Sequence, residues 1–291
     1  MNGIIIINKP KGCTSHDIVC KVKKVFNKKI GHTGTLDPMA EGVLPILVGK
    51  GTLLSKYLIN HDKKYIVNLK LGMKTDTADS EGKVIEEKEI NQKLLNIENI
   101  NRILKSFIGK QQQIPPIYSA IKVNGKKLYE YARKGQEVKL KPREIEIYDI
   151  NLISYSQKDK EIKFEVFCGK GTYIRSLCED IATKFETVGY MKELKRIQVG
   201  NFKIEDSITI EELEKNKEDN NFINSKIISI EKLFDKNNSI KLDNKRLEHF
   251  LNGVKITQKY ENGIYKIYNE KNNFIGIGII ENNLLKRDII I

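Results

Sequence analysis

The sequence is poor in the residues that build metal sites and disulfide frameworks. Its 291 residues include no tryptophan, four cysteines, four histidines and six prolines. No two cysteines form a C-x-x-C pair, the four being Cys13, Cys20, Cys168 and Cys178. A disulfide framework is not expected in a chain this long and lysine-rich, and the histidines are scattered along it. We therefore expect reduced thiols and no metal site.

The motifs of several common enzyme classes are also missing. There is no G-x-x-x-x-G-K-[ST] phosphate cradle, no Rossmann G-x-G-x-x-G and no G-x-S-x-G nucleophile elbow. The N-terminal apolar run, Ile4 to Ile7, is too short for a signal peptide or a membrane span. The remaining chemistry is a carboxylate that works without a metal or a cofactor, in a protein that we expect to be soluble and cytoplasmic.

Acidic residues are outnumbered by basic ones. The chain has 51 Lys and Arg against 38 Asp and Glu, which gives a formal net charge of +13 and a pI of about 9.3. A basic surface attracts nucleic acid through counterion release, and it also attracts anionic membranes. Because lysine, asparagine and isoleucine are all abundant, the charge could instead reflect a general lysine-rich composition. Charge alone therefore favours a nucleic-acid partner only moderately.

The segment from Gly31 to Ile46, GHTGTLDPMAEGVLPI, is predicted to be a shaped loop that leads into a strand. It has three glycines and two prolines in sixteen residues and cannot be a helix interior. Asp37 precedes Pro38, and such an aspartate usually caps a turn. An ionised aspartate can also be a covalent nucleophile, but a partly buried one needs a neighbouring cation. Arg175, beside an aromatic residue at a predicted helix start, is the candidate cation, although a structural arginine would look the same.

Hydrophobic periodicity predicts strands alternating with helices. The predicted strands are Gly3 to Asn8, Val43 to Val48, Lys63 to Leu71, Arg143 to Ser154 and Glu161 to Cys168. One predicted helix is capped by Ser15. Three others cover Thr52 to Leu58, Glu98 to Phe107 and Leu128 to Arg133, and a last one follows the turn at Gly169 to Ser176 and ends near Phe185. Asn124-Gly125 indicates a tight turn. The acidic stretch 205–221 is predicted to be partly helical and linker-like, and short strands after Asn237 predict a small β domain.

Seven motifs, in order along the chain, are similar to those of one enzyme family. They are G-H-T-G-T-L-D-P-x-A-x-G-V-L-P at 31–45, K-x-Y at 63–65, G-x-x-T-D-T-A-D-x-x-G at 72–82, Q-x-P-P-x-Y-S-A-x-K-x-x-G at 113–125, Y-x-x-A-R-x-G at 129–135, G-T-Y-I-R at 171–175 and L-x-R-x-x-V-G-x-F at 194–202. The sequence resembles the TruB family of pseudouridine synthases, the bacterial tRNA pseudouridine-55 synthases.

The resemblance implies a fold and a division into domains. The expected fold is α+β, with a mixed, largely antiparallel sheet of the pseudouridine synthase type. The expected catalytic domain is 1–220, with an inserted RNA-binding subdomain at about 74–150. A linker at 221–237 and a PUA-like RNA-binding domain at 238–291 follow, and this last domain is short.

The resemblance also implies an activity, the isomerisation of uridine to pseudouridine at position 55 in the tRNA T-loop, with base flipping. The implied partner is tRNA, bound through its T-loop and stem. The resemblance implies a monomer that does not bind a membrane and needs neither a guide RNA nor a cofactor. Asp37 would attack the uridine, and the sequence leaves open whether at the ribose C1′, at the uracil ring or along a glycal path. Two alternatives are a non-catalytic RNA-binding protein or tRNA-folding chaperone of this fold, and a guide-RNA-dependent synthase.

The implied site residues surround the flipped uridine. Tyr65 would stack on the base and assist removal of the C5 proton, and Tyr173 would contact the uridine. Leu194 would border the base, Arg175 would pair with Asp37, and His32, flat and exposed on a mobile loop, would fill the space left in the RNA stack. Pattern alone would make Tyr65 and Leu194 core residues. Predicted phosphate contacts are Lys9, Lys64, Lys122 and Arg133, and the resemblance leaves Asp76 and Asp79 without a role.

Overall fold

A computed structural model of the protein describes residues 1–119, 121–132, 134–136, 138 and 140–291. Its strands are β1 (Gly3–Lys9), β2 (Ile30–His32), β3 (Glu41–Val48), β4 (Lys63–Leu71), β5 (Met73–Thr75), β6 (Val84–Glu87), β7 (Gly109–Gln113), β8 (Lys122–Val123), β9 (Lys126–Lys127), β10 (Arg143–Ser156), β11 (Glu161–Cys168), β12 (Gly189–Val199), β13 (Phe202–Lys203), β14 (Ile228–Ser229), β15 (Ser239–Lys241), β16 (Ile256–Thr257), β17 (Gly263–Tyr268), β18 (Phe274–Glu281) and β19 (Leu284–Ile290).

The α-helices are α1 (Ser15–Phe26), α2 (Ser55–Leu58), α3 (Ile97–Lys105), α4 (Leu128–Ala132), α5 (Ile174–Lys184), α6 (Ile210–Lys215), α7 (Asn220–Lys226), α8 (Ile230–Leu233) and α9 (Asn244–Leu251). Short 3₁₀ helices cover Gly49–Leu54, Gln92–Leu94 and Ile204–Asp206. Within the described ranges, none of these helices is long and apolar enough to span a membrane.

The main sheet is mixed and largely antiparallel, as predicted. Its strands lie in the order β14-β1-β3-β12-β4-β11-β10-β7, with β2 beside β3 and β13 beside β12. The β3–β12 pair is parallel and the other strand pairs of this sheet are antiparallel. In that parallel pair Gly42 faces Arg196 with φ +111°, and a Cβ on Gly42 would lie 2.1 Å from the Arg196 carbonyl oxygen. Only glycine allows the two backbones to approach so closely.

Alternation along the strands decides which side chains reach the core. In β4 the side chains of Tyr65, Val67, Leu69 and Leu71 are buried, and this face packs on α5 in a core to which α3 also contributes. Strand β1 is instead buried on both faces, which explains its continuous apolar run. One face of β1 packs against α1 and the other against the C-terminal part of the chain.

Helix α1 begins one residue earlier than predicted, and its cap helps to order the Gly31–Ile46 segment. The prediction that Ser15 caps the helix is wrong. Thr14 is the N-cap, because its hydroxyl accepts from the Asp17 amide at 3.1 Å and the Asp17 carboxylate accepts from the Thr14 amide at 2.8 Å. The Ser15 hydroxyl donates to the Leu36 carbonyl at 3.1 Å and accepts from the Leu36 amide at 2.9 Å. The start of α1 therefore holds the residue before Asp37.

The C-terminal part of the chain forms a second sheet, in the order β15-β17-β18-β19-β16. This agrees with the small β domain that the sequence predicts. It contacts the first part where the Tyr57 hydroxyl donates to the Asp288 carboxylate, which also pairs with Lys56. The predicted segment 74–150 contains the hairpins β5–β6 and β8–β9 and also contributes β7 and the start of β10 to the main sheet. The domain boundaries stay a prediction. The predicted tight turn is confirmed, since Asn124 and Gly125 have φ of 50° and 80° between β8 and β9.

Candidate active site

A cavity of about 470 Å³ opens where the β2–β3 loop meets β4, β12 and the start of α5. This volume lies within the range of small-ligand sites. Five of the predicted site residues line it, although 157 positions separate the first from the last: Asp37, Tyr65, Tyr173, Arg175 and Leu194. Leu194 also belongs to the buried core, so it is both a core residue and a wall of the cavity.

The predicted ion pair of Asp37 and Arg175 is present. Arg175 Nε lies 3.1 Å from Asp37 Oδ2, and Nη2 donates to Oδ1 at 3.4 Å. The arginine side chain is 8% exposed, whereas that of the aspartate is 32% exposed. A two-point contact of this kind fixes the plane of the carboxylate as well as its position. The arrangement holds the carboxylate in one orientation while leaving it accessible from the cavity.

Arg175 is itself held by a second carboxylate and by two carbonyls. Its Nη1 lies 3.6 Å from Asp79 Oδ2 and donates to the Thr77 carbonyl at 3.3 Å, while Nη2 donates to the Tyr118 carbonyl at 2.9 Å. The buried Asp79 carboxylate accepts from the Thr77 hydroxyl at 2.6 Å and from the Glu81 amide at 3.1 Å. Asp79 therefore lies against the far side of the same guanidinium. The sequence had left Asp79 without a role.

The surroundings of Asp37 act on its charge in opposite directions. Burial raises the pKa of the Asp37 carboxyl above its ordinary value, and the Asp79 charge adds to that rise. The Arg175 guanidinium acts the other way and favours the ionised form. An ionised Asp37 is thus a poorly hydrated carboxylate that depends on its arginine, as a nucleophile in a protein cleft requires.

Tyr65 forms the buried wall of the cavity. Burial raises the pKa of its phenol to about 12, so Tyr65 is neutral at physiological pH. The nearby Arg196 guanidinium opposes that rise because it stabilises the phenolate. Tyr65 is therefore a neutral phenol in the cavity wall, and its deprotonation is costly but is favoured by a cation beside it.

Arg196 is the main site residue that sequence reasoning missed. It is buried, its Nε donates to the Val43 carbonyl at 2.8 Å, and its Nη2 donates to the Gly34 carbonyl at 3.1 Å. These carbonyls lie on either side of Asp37 in the chain, so one guanidinium holds both ends of the segment that carries it. The alternation of side chains along a strand was a signal for Arg196, since it lies two residues after Leu194 and therefore points to the same face of β12.

Tyr173 is positioned by a glutamine from the fourth motif. The Gln113 side chain donates to the Tyr173 carbonyl at 3.0 Å and accepts from the Tyr173 amide at 2.9 Å. The Ser176 hydroxyl donates to the Ile114 carbonyl at 2.8 Å. Together these bonds fasten the segment after β7 to the start of α5, which brings Tyr118 to the cavity wall.

His32 does not lie where the sequence predicts. It belongs to β2, pairs with Ile46 and is half-buried, so the expectation of an exposed side chain on a mobile loop is wrong. The strand forms because Ile30 to His32 pairs with the end of β3 before the glycine-rich turn begins. Burial, with the charge of Arg196 as a second cause, lowers the pKa of His32 and favours the neutral imidazole.

The predicted phosphate contacts have different surroundings. Lys9 is fully buried and its ammonium donates to the carbonyls of Pro10 at 2.8 Å, Cys13 at 2.8 Å and Pro38 at 3.3 Å. Because all three of its protons are bonded, the prediction that Lys9 contacts phosphate is wrong. It anchors the residue after Asp37 instead.

The other predicted phosphate contacts face solvent or lie outside the structure. Lys64 is partly exposed and pairs with Glu165 at 3.0 Å, and Lys122 is exposed on β8. Arg133 lies outside the described residues.

Comparison with known proteins identifies the family. The family described as TruB family pseudouridylate synthase (N terminal domain) matches residues 23–174, more than half of the chain. The tRNA pseudouridylate synthase B C-terminal domain matches residues 175–237, and the family described as Pseudouridine synthase II TruB, C-terminal, matches residues 239–286.

Relatives and a solved structure extend the match over nearly the whole chain. The chain is 42% identical to tRNA pseudouridine synthase B of Caldanaerobacter subterraneus subsp. tengcongensis and 44% identical to that of Clostridium novyi, over 98% of both chains in each case. The structure of an H/ACA RNP bound to a substrate RNA containing 2′-deoxyuridine has the same fold, with a TM-score of 0.70 at 21% identity over 99% of this chain and 85% of that one. The chain therefore belongs to the TruB family and is a pseudouridine synthase, an isomerase.

Proposed function

We propose that the protein converts uridine to pseudouridine at position 55 in the T-loop of tRNA, with Asp37 as the nucleophile. The observation that supports this most directly is the Asp37 carboxylate, which two nitrogens of Arg175 orient and which the cavity leaves accessible. The names of relatives at 42% and 44% identity support tRNA as the substrate. The T-loop and its position 55 rest on the resemblance of the seven motifs.

The target uridine has to leave the RNA stack to reach Asp37, because the carboxylate lies inside a cavity. Flipping a nucleotide out costs a few kcal/mol. Stacking on an aromatic side chain returns about 1–3 kcal/mol per base. We assign this stacking to Tyr65, with Tyr173 and Leu194 bordering the uridine. His32, half-buried on the adjacent strand β2, would have to turn outward to fill the gap that the flipped base leaves.

The reaction balances without any added group. The bond between N1 of uracil and C1′ of ribose breaks, and a bond between C5 and C1′ forms. C5 loses its proton to solvent, and N1 takes one up. This balance is the same whether Asp37 adds to the ribose, adds to the ring or acts through a glycal, and no cofactor enters it.

The neighbouring residues fit the two charge changes in this reaction. Arg175 keeps Asp37 ionised for attack, against the burial that raises its pKa. Tyr65 could take the C5 proton only as a phenolate, and the Arg196 guanidinium lowers the cost of that form. Enzymes commonly supply such charge stabilisation through groups already fixed in place.

We propose that Lys64, Lys122 and Arg133 contact RNA phosphates and that the 238–291 domain adds RNA contacts. The net charge of +13 supports phosphate binding in general. On this proposal the protein acts on tRNA as a cytoplasmic monomer without a guide RNA. A non-catalytic RNA-binding protein of the same fold is the alternative that the following experiment separates.

The test is release of tritium from a tRNA transcript labelled at C5 of its uridines. Wild type should release the label of one uridine per transcript, and a transcript with cytidine at position 55 should release none. Asp37→Asn should release none from either transcript while still binding them. Asp159→Asn, at the exposed β10–β11 turn, is the matched control and should behave as wild type.

Each part of the proposal fails on a different result. Binding without release by wild type would leave the non-catalytic alternative. Release by Asp37→Asn would refute the nucleophile, and release from the cytidine-55 transcript would refute the position.

A further inference from the structure

Ser119 has a buried hydroxyl with an unused hydrogen-bonding capacity in the wall of the cavity. The residue is 6% exposed and lies among the lining residues, next to Tyr118. Its Oγ has no hydrogen-bond partner in the described part of the chain. Of the buried side-chain atoms without a partner in that part, it is the one that lines the cavity.

The backbone holds Ser119 in place, so the free hydroxyl does not come from a loosely placed residue. The Ser119 amide donates to the Ile117 carbonyl at 3.0 Å, and its carbonyl accepts from the Tyr129 amide at 3.2 Å. One residue earlier, the Tyr118 carbonyl accepts from Arg175 Nη2 at 2.9 Å. The hydroxyl is therefore tied to the same framework that orients Asp37.

Two other polar side chains of this wall are bonded. Each nitrogen of Arg175 has a partner, and the Thr172 hydroxyl donates to the Gly169 carbonyl at 3.0 Å. Burying a hydroxyl without a partner lowers the stability of a folded protein. Native proteins keep few such groups, and functional sites are among the places where they are found.

We infer that the Ser119 hydroxyl is a substrate-binding group that makes a hydrogen bond to the flipped uridine. The inference rests on the proposed function, since it needs a uridine in this cavity. A hydroxyl can donate a hydrogen bond to a uracil oxygen, or it can donate to or accept from the ribose 2′-hydroxyl. Both groups belong to the same nucleotide. Ser119 thereby contributes to recognition of the reacting nucleotide.

This role predicts that removing the hydroxyl lowers turnover without lowering the stability of the protein, and the test measures both. Ser119→Ala should unfold at the same temperature as wild type or a higher one, because it removes an unpaired buried group. Its kcat/KM for tritium release should fall about tenfold or more, the usual cost of losing a substrate hydrogen bond in a buried site. Ser106→Ala is the control, since its hydroxyl donates to the Ile103 carbonyl at 2.7 Å away from the cavity. That control should lower the unfolding temperature and leave kcat/KM unchanged.

A transcript with 2′-deoxyuridine at the target position identifies the bonded atom through its dissociation constant. If the missing 2′-hydroxyl weakens binding to wild type but not to Ser119→Ala, the bond goes to the ribose. If it weakens binding to both equally while kcat/KM of Ser119→Ala is reduced, the bond goes to the base. Both outcomes support the inference.

Two outcomes would overturn it. A kcat/KM for Ser119→Ala within twofold of wild type would show that the hydroxyl is not used. A reduced kcat/KM accompanied by a lower unfolding temperature would show a structural role instead. Failure of the proposed function appears separately, as absent turnover by wild type in the same assay.

Discussion

Arg196 provides the sharpest test of how the Asp37 segment is held. Replacing it by methionine keeps an apolar stem in the core and removes the guanidinium that bonds the Val43 and Gly34 carbonyls. Replacing it by lysine keeps a positive charge but offers a single nitrogen, which cannot serve both carbonyls in the same geometry.

The expected loss follows from these two bonds. A buried carbonyl left without its partner costs about 1–3 kcal/mol. Arg196→Met should therefore lower the free energy of unfolding by roughly 2–5 kcal/mol, since relief from burying a charge offsets part of the cost. Arg196→Lys should lose about 1–3 kcal/mol, because one carbonyl can keep a partner. A displacement of Asp37 by about 1 Å would in addition reduce kcat about 100-fold.

The assays are urea unfolding and tritium release, each with Lys195→Met as the matched control. Lys195 is the neighbour of Arg196 on β12, faces the other way, is 42% exposed and pairs with Glu41 at 3.6 Å. An exposed pair of this kind contributes about 0–1 kcal/mol. If Arg196→Met were no less stable than Lys195→Met, or if it retained wild-type kcat, the proposed anchoring of the Asp37 segment would be refuted.

Three further perturbations test other parts of the structure. Gly42→Ala should lower the free energy of unfolding in urea by roughly 2–5 kcal/mol, because its Cβ would meet the backbone of β12 and the residue has a positive φ. Gly12→Ala, with a positive φ but open space around the Cβ, should lower it by about 1–2 kcal/mol, and equal losses would contradict the close approach. Asp37→Asn should gain stability relative to wild type as the pH rises from 3.8 towards neutral, since a folded-state pKa raised above that ordinary value makes ionisation destabilising, and a pH-independent difference would contradict the raised pKa. Asp288→Ala removes the acceptor of the Tyr57 hydroxyl and should lower the free energy of unfolding by about 1–3 kcal/mol; an unchanged urea midpoint would show that this contact is not stabilising.

Local patterns were sufficient for much of the fold. The alternation of Tyr65, Val67, Leu69 and Leu71 predicted β4 with the bounds that the structure has. Turn chemistry predicted the Asn124-Gly125 hairpin in the same way. The start of α1 was misjudged because two adjacent residues, Thr14 and Ser15, can both cap a helix. What separates them is a contact of Ser15 with Leu36, 21 residues away, which no local pattern encodes.

The candidate site was predictable only in part for the same reason. Asp37 and Arg175 stood out because a loop aspartate that acts as a nucleophile needs a cation, although a structural arginine would look the same and the resemblance was needed to give the pair a role. Lys9 was misplaced because lysine is almost never fully buried, and its three carbonyl partners come together only in the folded chain. Asp79 reaches Arg175 across 96 positions of sequence.

The most direct test of the central claim is a single-turnover measurement of tritium release from uridine 55, with Asp37→Asn compared with wild type at saturating enzyme. Saturation removes any difference in tRNA affinity, so the comparison reports only on the reaction of the bound uridine. We expect wild type to release the label of that uridine completely and Asp37→Asn to release none above the enzyme-free background. Release by the variant at a rate comparable to wild type would contradict the assignment of Asp37 as the nucleophile.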